Sequence, residues 1–352
     1  MISCNCTKNQ IYTRKMQSKL KSYGLLLILP LTVVILSMTM GATNFVGISE
    51  LIRYSSSAIS KLISGTTNLP QSSIETILWQ VRLPRIVLTF IVGAALASSG
   101  NVLQAIFRNP IVDPFTLGIS SGSAVGAALA MVVPVLSINI SAFVFGICAV
   151  LLTYLISKTN VKSSLINMVL SGMIISGVFT AVLTLLQYIS DPYKLQMIVQ
   201  WTMGNLHTAS WEKVEIAFYP ILIGLTIIIL FRWKLNLLSL GDEEALAVGV
   251  KPGLLKVILI GVATLITAAC VAAVGVISLF GLIVPHISRM FFGPNNEKTV
   301  WVNISIGGTL LLVIDDFSRT VMPFEIPVGV FTMLIGAPIF IYLMRKNAAN
   351  WN

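Results

Sequence analysis

Charge is the scarcest thing in this chain of 352 residues: Asp, Glu, Lys and Arg make up 10% of it, against 56% hydrophobic residues. A soluble domain carries about 25% charged residues, so this composition cannot solvate a globular surface of such size. Histidine is almost missing, with only His207 and His286. Cysteine is sparse: Cys148 and Cys270 lie in apolar runs and read as small core residues. Cys4-Asn5-Cys6 has no second pair to complete a metal site. No Gly-Lys step occurs, so there is no Walker A loop to hold nucleotide phosphates. No catalytic group, metal site or cofactor is expected.

What the sequence has is apolar length. Mean hydropathy is +0.90, and ten runs are long enough to cross roughly 30 Å of hydrocarbon. They cover 24–42, 86–107, 116–136, 138–156, 164–189, 214–231, 255–274, 276–292, 300–315 and 327–344. The fold class expected is an all-α polytopic membrane protein with about ten transmembrane helices. The first run follows a basic stretch (Arg14, Lys15, Lys19, Lys21). It is long for a signal peptide and has no small-x-small site after it, so it reads as a retained span.

The net charge of +10 raises the question of nucleic acid, but the bases are scattered between the apolar runs rather than gathered in a patch, and no nucleic-acid partner is expected. Their placement reads as topology instead. Only Arg53, Lys61, Arg82, Arg85, Lys194, Lys213 and Arg319 fall on one side, and the other sixteen of 23 bases fall on the opposite side. Lys and Arg collect in the cytoplasm, which gives N-in and C-in. The organisation expected is a cytoplasmic basic tail at 1–23, a ten-helix transmembrane domain at 24–344 and a cytoplasmic tail at 345–352. An outer loop lies at 43–81 and a cytoplasmic loop at 232–254.

Two places interrupt the oily pattern. From Gly275 through Gly281 to Pro285 the residues break or bend a helix at membrane depth. Such a break survives only where protein or a water-lined cavity covers the freed backbone. His286 follows at once; a single histidine there reads as a packed or hydrogen-bonded group rather than a ligand. The second place is the inner loop around Gly241-Asp242-Glu243-Glu244-Ala245-Leu246-Ala247-Val248-Gly249. Ser239 is a candidate cap and the three acids favour a helix N-terminus. Gly249 stops that helix, and Lys251-Pro252 starts another. By composition the segment is either a docking surface or a solvated connector.

The spans carry no set of buried carboxylates or histidines of the kind ion-coupled pumps use. An ion-coupled secondary transporter is thus the weaker alternative, and energy for active transport has to enter from a partner.

Four stretches in order resemble the FecCD family, the permeases of importers for ferric siderophores, haem and vitamin B12. The first is Arg82-Leu83-Pro84-Arg85 with Val92 to Gly100. The second runs from Gln104 to Pro110, with Asp113-Pro114 and Leu117 to Gly122. The third is Gly241 to Val250 leading to Gly281 through Arg289, and the fourth Asp316 to Arg319, Glu325 to Val330 and Gly336 to Phe340. The resemblance implies a type II ABC importer permease of ten helices, paired with a second permease, identical or paralogous. It implies a cytoplasmic ABC ATPase dimer beneath and an extracellular or periplasmic substrate-binding protein above. Substrates of such permeases are an iron chelate (siderophore or haem), a corrinoid, or an oxyanion such as molybdate. By the same resemblance Gly241 to Gly249 meets the ATPase, and Arg82, Arg85 and Arg319 receive glutamates of the binding protein. Read without it, Arg82 and Arg85 snorkel at a span mouth, and Arg319 pairs locally with Asp315 or Asp316.

Overall fold

The structure, a computed structural model, describes residues 24, 26–40, 76–133, 135–158 and 165–347. The tail 1–23, most of the outer segment 43–81 and residues 348–352 lie outside the described residues.

Every regular element among the described residues is helical. α1 covers Leu26–Thr39. A π-helical turn, Ile77–Arg82, runs without interruption into α2, Leu83–Phe107. A 3-10 turn at Pro114–Leu117 precedes α3, Ile119–Val132. α4 is Ile138–Ser157, α5 Leu165–Ile189, α6 Pro192–Thr202 and α7 Trp211–Leu240. The short α8, Asp242–Ala247, leads to α9, Pro252–Val274. α10 is Phe280–Phe292, α11 Asn296–Thr320 and α12 Val328–Asn347. Six of these helices are long and apolar enough to cross a membrane, and α1, α3, α10 and α12 are shorter apolar ones. Each of the ten apolar runs in the sequence falls on one of them.

Side-chain size decides which helices are central. α2 and α9 have 83% and 78% of their apolar windows buried, against 17% for α5 and 28% for α7. α2 carries Gly93-Ala94-Ala95 and Ala97-Ser98-Ser99-Gly100, and α9 carries Ala268, Ala269, Ala272 and Ala273. Small residues let neighbours close in on all sides where hydrocarbon gives no hydrophobic drive between helices. A Cβ on Gly93 would strike the carbonyl oxygen of Gly307 on α11, and one on Gly100 would overlap that of Gly281 on α10. α5 and α7 instead turn Ile166, Met173, Ile174, Leu222 and Leu230 outward. An apolar band of that extent is stable only against lipid or another protein.

Several boundaries differ from the sequence-based ones. Residues 190–213, left between the expected runs 164–189 and 214–231, contain α6. Its start has a clear local cause: Asp191 Oδ1 accepts from the backbone N–H groups of Tyr193 and Lys194 at 3.1 and 3.0 Å, and Pro192 takes the first helical position. Residues 77–81, expected in the outer loop, are helical. α7 runs to Leu240 rather than stopping near 231, because charge ends the apolar run but not the helix. Leu235 and Leu238 stay fully buried, and no Gly or Pro intervenes before Gly241. Ser239 therefore does not cap α8. It lies in the last turn of α7 and donates to Leu235 O at 2.8 Å, while Gly241 takes the cap position.

Candidate functional site

Polar side chains gather at the two ends of α2, with a broken helix packed against it between them. Arg85 and Arg108 mark those ends, about 35 Å apart at 1.5 Å per residue.

At the first end α1 finishes, α2 begins and α11 finishes. Arg85 grips Asp315 with Nε at 3.0 Å and Nη2 at 2.8 Å, and reaches Glu325 with Nη1 at 3.0 Å. Asp315 is fully buried and Glu325 is one-third exposed. Arg319 pairs with Asp316 and donates to Ser37 Oγ at 2.8 Å and Ser37 O at 3.2 Å. Arg82 donates to Met38 O at 2.6 Å. The last carbonyls of α1 thus accept from two guanidinium groups, where a helix leaves acceptors unserved and its dipole favours cations. All three arginines expected at a docking surface are buried, at 5–7% exposure. The local pair anticipated for Arg319 is present with Asp316.

The break lies at residues 275–279. α9 ends at Val274, Gly275 takes a positive φ of 74°, and Leu279 starts α10 with a positive φ of 63°. A Cβ on Gly275 would strike Trp201 O, so only glycine permits this approach of α6. Asn205 N donates to Val274 O at 2.6 Å, which serves one of the carbonyls the break frees. Pro285, the last residue of the Gly275–Pro285 stretch, lies inside α10, six residues in. His286 is buried and meets the Phe340 ring edge-on at 6.5 Å. No group of three His, Cys, Asp or Glu able to hold a metal exists among the described residues.

At the opposite end α8 is tied to the bundle by one of its three acids. Asp242 takes Lys256 Nζ at 2.6 Å and Arg108 at 3.8 Å. Ala245 is buried, while Glu243, Glu244, Leu246 and Val248 are exposed. Gly249, with φ 80°, donates to Leu246 O and turns the chain toward α9. Asp113, in the connection after α2, is 5% exposed and caps the 3-10 turn by accepting from Phe115 N at 3.3 Å. Burial pushes its carboxyl up to about 7, against the pull of that one hydrogen bond.

The residues that sequence reasoning left without a role are the partners: Glu325 beside Arg85, and the amides Asn101, Gln104, Asn236 and Asn296. Asn101 is fully buried on α2, and its Nδ2 donates to Asn296 Oδ1 at 3.0 Å. Asn or Gln in otherwise oily helices was the available signal, because a buried amide has to find partners.

Residues 26–346 match the FecCD transport family. The chain is 42% identical to the molybdate import system permease protein MolB of Haemophilus influenzae, over 78% of this chain and 84% of that one. It is 38% identical to the cobalamin import system permease protein BtuC of Halobacterium salinarum, over 77% and 74%. A solved metal-chelate type ABC transporter, described as inward-facing, superposes with a TM-score of 0.80 at 38% identity, covering 93% of this chain and 99% of that one.

Proposed function

The chain belongs to the FecCD transport family, and on that premise we propose that it carries an iron chelate or a corrinoid inward through the plasma or inner membrane by alternating access. As a member of that family it is a multi-pass membrane protein and a permease subunit of an ABC importer, with nucleotide hydrolysis on a separate chain. In our reading it crosses the bilayer ten times with both termini in the cytoplasm. It pairs with a second permease, identical or paralogous, and performs no covalent chemistry itself. The molybdate relative makes an oxyanion the second substrate class.

The observation that carries the reading is the state of α8. The helix spends Asp242 on the bundle and leaves Glu243, Glu244, Leu246 and Val248 free. Two acids beside two aliphatics on a short exposed helix suit insertion into a groove of a cytoplasmic ATPase dimer. The opposite end then faces the binding protein. Arg82 and Arg319 are committed to α1 and Asp316, so we assign direct docking to Arg85. Its Glu325 partner is accessible, and an incoming carboxylate replaces Glu325 on the guanidinium while Asp315 stays in place.

The test is reconstitution. The permease is purified with the ATPase that accompanies it and placed in liposomes with a substrate-loaded binding protein. Uptake should require ATP and be indifferent to ion gradients. Uptake driven by a gradient without ATP would revive the ion-coupled alternative and overturn this one. Competition between a ferric chelate, cobalamin and molybdate in the same assay decides the substrate.

A further inference from the structure

Pro285 sits inside α10 and has no N–H. An α-helix closes each N–H onto the carbonyl four residues earlier, so the carbonyl of Gly281 loses its intrahelical donor. That carbonyl faces α2 at its tightest contact, against Gly100. The missing donor comes from α2 itself. Gln104 Nε2 donates to Gly281 O at 3.3 Å and to Leu282 O at 3.4 Å.

An amide serves a carbonyl in only one of its two flips; the other sets oxygen against oxygen. Arg289, one turn beyond Pro285, selects the flip. Its Nη2 donates to Gln104 Oε1, so Nε2 has to point at α10. Its Nη1 donates to Asn101 Oδ1 at 3.2 Å, which fixes the Asn101 amide in the same way. Asn101 Nδ2 then donates to Asn296 Oδ1 at 3.0 Å, and Asn296 Nδ2 to Ser239 Oγ at 3.4 Å. Asn296 N also donates to Asn236 Oδ1 at 2.7 Å. Ser239 lies three residues before Asp242, where α8 begins. A single row of hydrogen bonds, each amide oriented by the next, therefore runs from the last turn of α7, three residues before α8, to the first carbonyls of α10. No carboxylate pairs with Arg289 among the described residues, so amide oxygens alone receive its charge.

We propose that Arg289, Gln104 and Asn101 are positioning residues that transmit displacement of α8 to the broken helix. When the ATPase moves α8, the end of α7 and the start of α11 move with it through Ser239 and Asn296. The row then draws α10 along α2. The inference rests on the reading of α8 as the ATPase contact.

The experiment uses the complete transporter in liposomes and reads ATP hydrolysis and substrate uptake together. Arg289→Lys keeps the charge but cannot hold two amides in a fork. It should copurify with the ATPase, hydrolyse ATP and lose about tenfold in uptake per ATP, within the usual range of coupling between sites. Gln104→Leu should behave alike but also lose stability, because Gly281 O is left without a donor. Pro285→Ala combined with Gln104→Leu returns an N–H to that carbonyl while the row stays cut. The double variant should recover stability without recovering coupling. Full coupling in Arg289→Lys or in the double variant overturns the relay and leaves these residues a packing role only. Failure of the double variant to fold overturns it as well, since Pro285 is then not the reason for Gln104. Disulfide capture of the ATPase by Leu246→Cys in the otherwise unaltered permease tests the reading of α8 separately.

Discussion

The two ends of α2 satisfy buried charge in opposite ways. At the Arg85 end Arg85 meets Asp315 and Glu325, and Arg319 meets Asp316. At the Arg108 end Arg289 meets Asn101 and Gln104, which are neutral, and the Asp113 carboxylate has only a backbone N–H among the described residues. Removing one member of a buried ion pair strands a charge and costs about 3–5 kcal/mol. A hydrogen bond from a guanidinium to a neutral amide contributes about 1.5–3 kcal/mol and strands no countercharge when it is exchanged for another. Under the proposed function the Arg85 end holds its ion pairs and the Arg289 end is where partners exchange. The proposed drive through α8 requires that order, with motion entering where the bonds are exchangeable.

The comparison breaks first at Asp315. Asp315→Ala should destabilise the detergent-solubilised protein by about 3–5 kcal/mol in thermal unfolding. Replacing the pair together, Arg85→Met with Asp315→Leu, should recover most of that loss. Little effect from the single change would mean that the Arg85 end is not locked by its ion pairs.

Asp113 sharpens the contrast, being a buried acid without a cation. Its folded-state pKa of about 7 lies above the usual unfolded value. The folded protein therefore binds the extra proton, and stability falls as pH rises from about 4 to about 7 and then levels off. Asp113→Asn keeps the acceptor for Phe115 N and should abolish this slope. Above pH 7 the variant should be more stable than the parent by about 4 kcal/mol.

Gly100→Ala tests the contact through which the inner row acts. The added Cβ meets the backbone of Gly281, which cannot rotate away. The change should cost about 1–3 kcal/mol and lower uptake, read by unfolding and transport on the same preparation.

The smallest stability effect belongs to Glu243→Gln with Glu244→Gln. Both side chains are exposed, so unfolding should shift by under about 0.5 kcal/mol. Retention of the ATPase during purification should nevertheless drop. Unaltered retention would return α8 to the role of a solvated connector.

Much of this was legible in the sequence, and for definite reasons. Apolar length placed all ten runs on helices, and Gly249 and Pro252 marked the turn after α8. What periodicity could not supply was partnership between residues distant in the chain. Arg85 and Asp315 are 230 residues apart, so Arg85 read as a surface base when it is an internal one. Gly275, Gly281 and Pro285 marked a stretch that breaks or bends a helix, and the structure carries α10 straight through Pro285. The amide from α2 that lets the helix pass through it is visible only after folding. Ser239 shows the same limit locally, since a good capping residue joined the preceding helix once Leu235 and Leu238 were buried.

The central claim is that the Arg85 end and the α8 end lie on opposite sides of the membrane, with α8 inside. Single cysteines are placed at Met322 and Leu246, both exposed, in a background without the native thiols. Intact spheroplasts are then treated with a membrane-impermeant maleimide. Met322→Cys should label at once and Leu246→Cys only after the membrane is opened. Labelling of Leu246→Cys from outside would contradict the account.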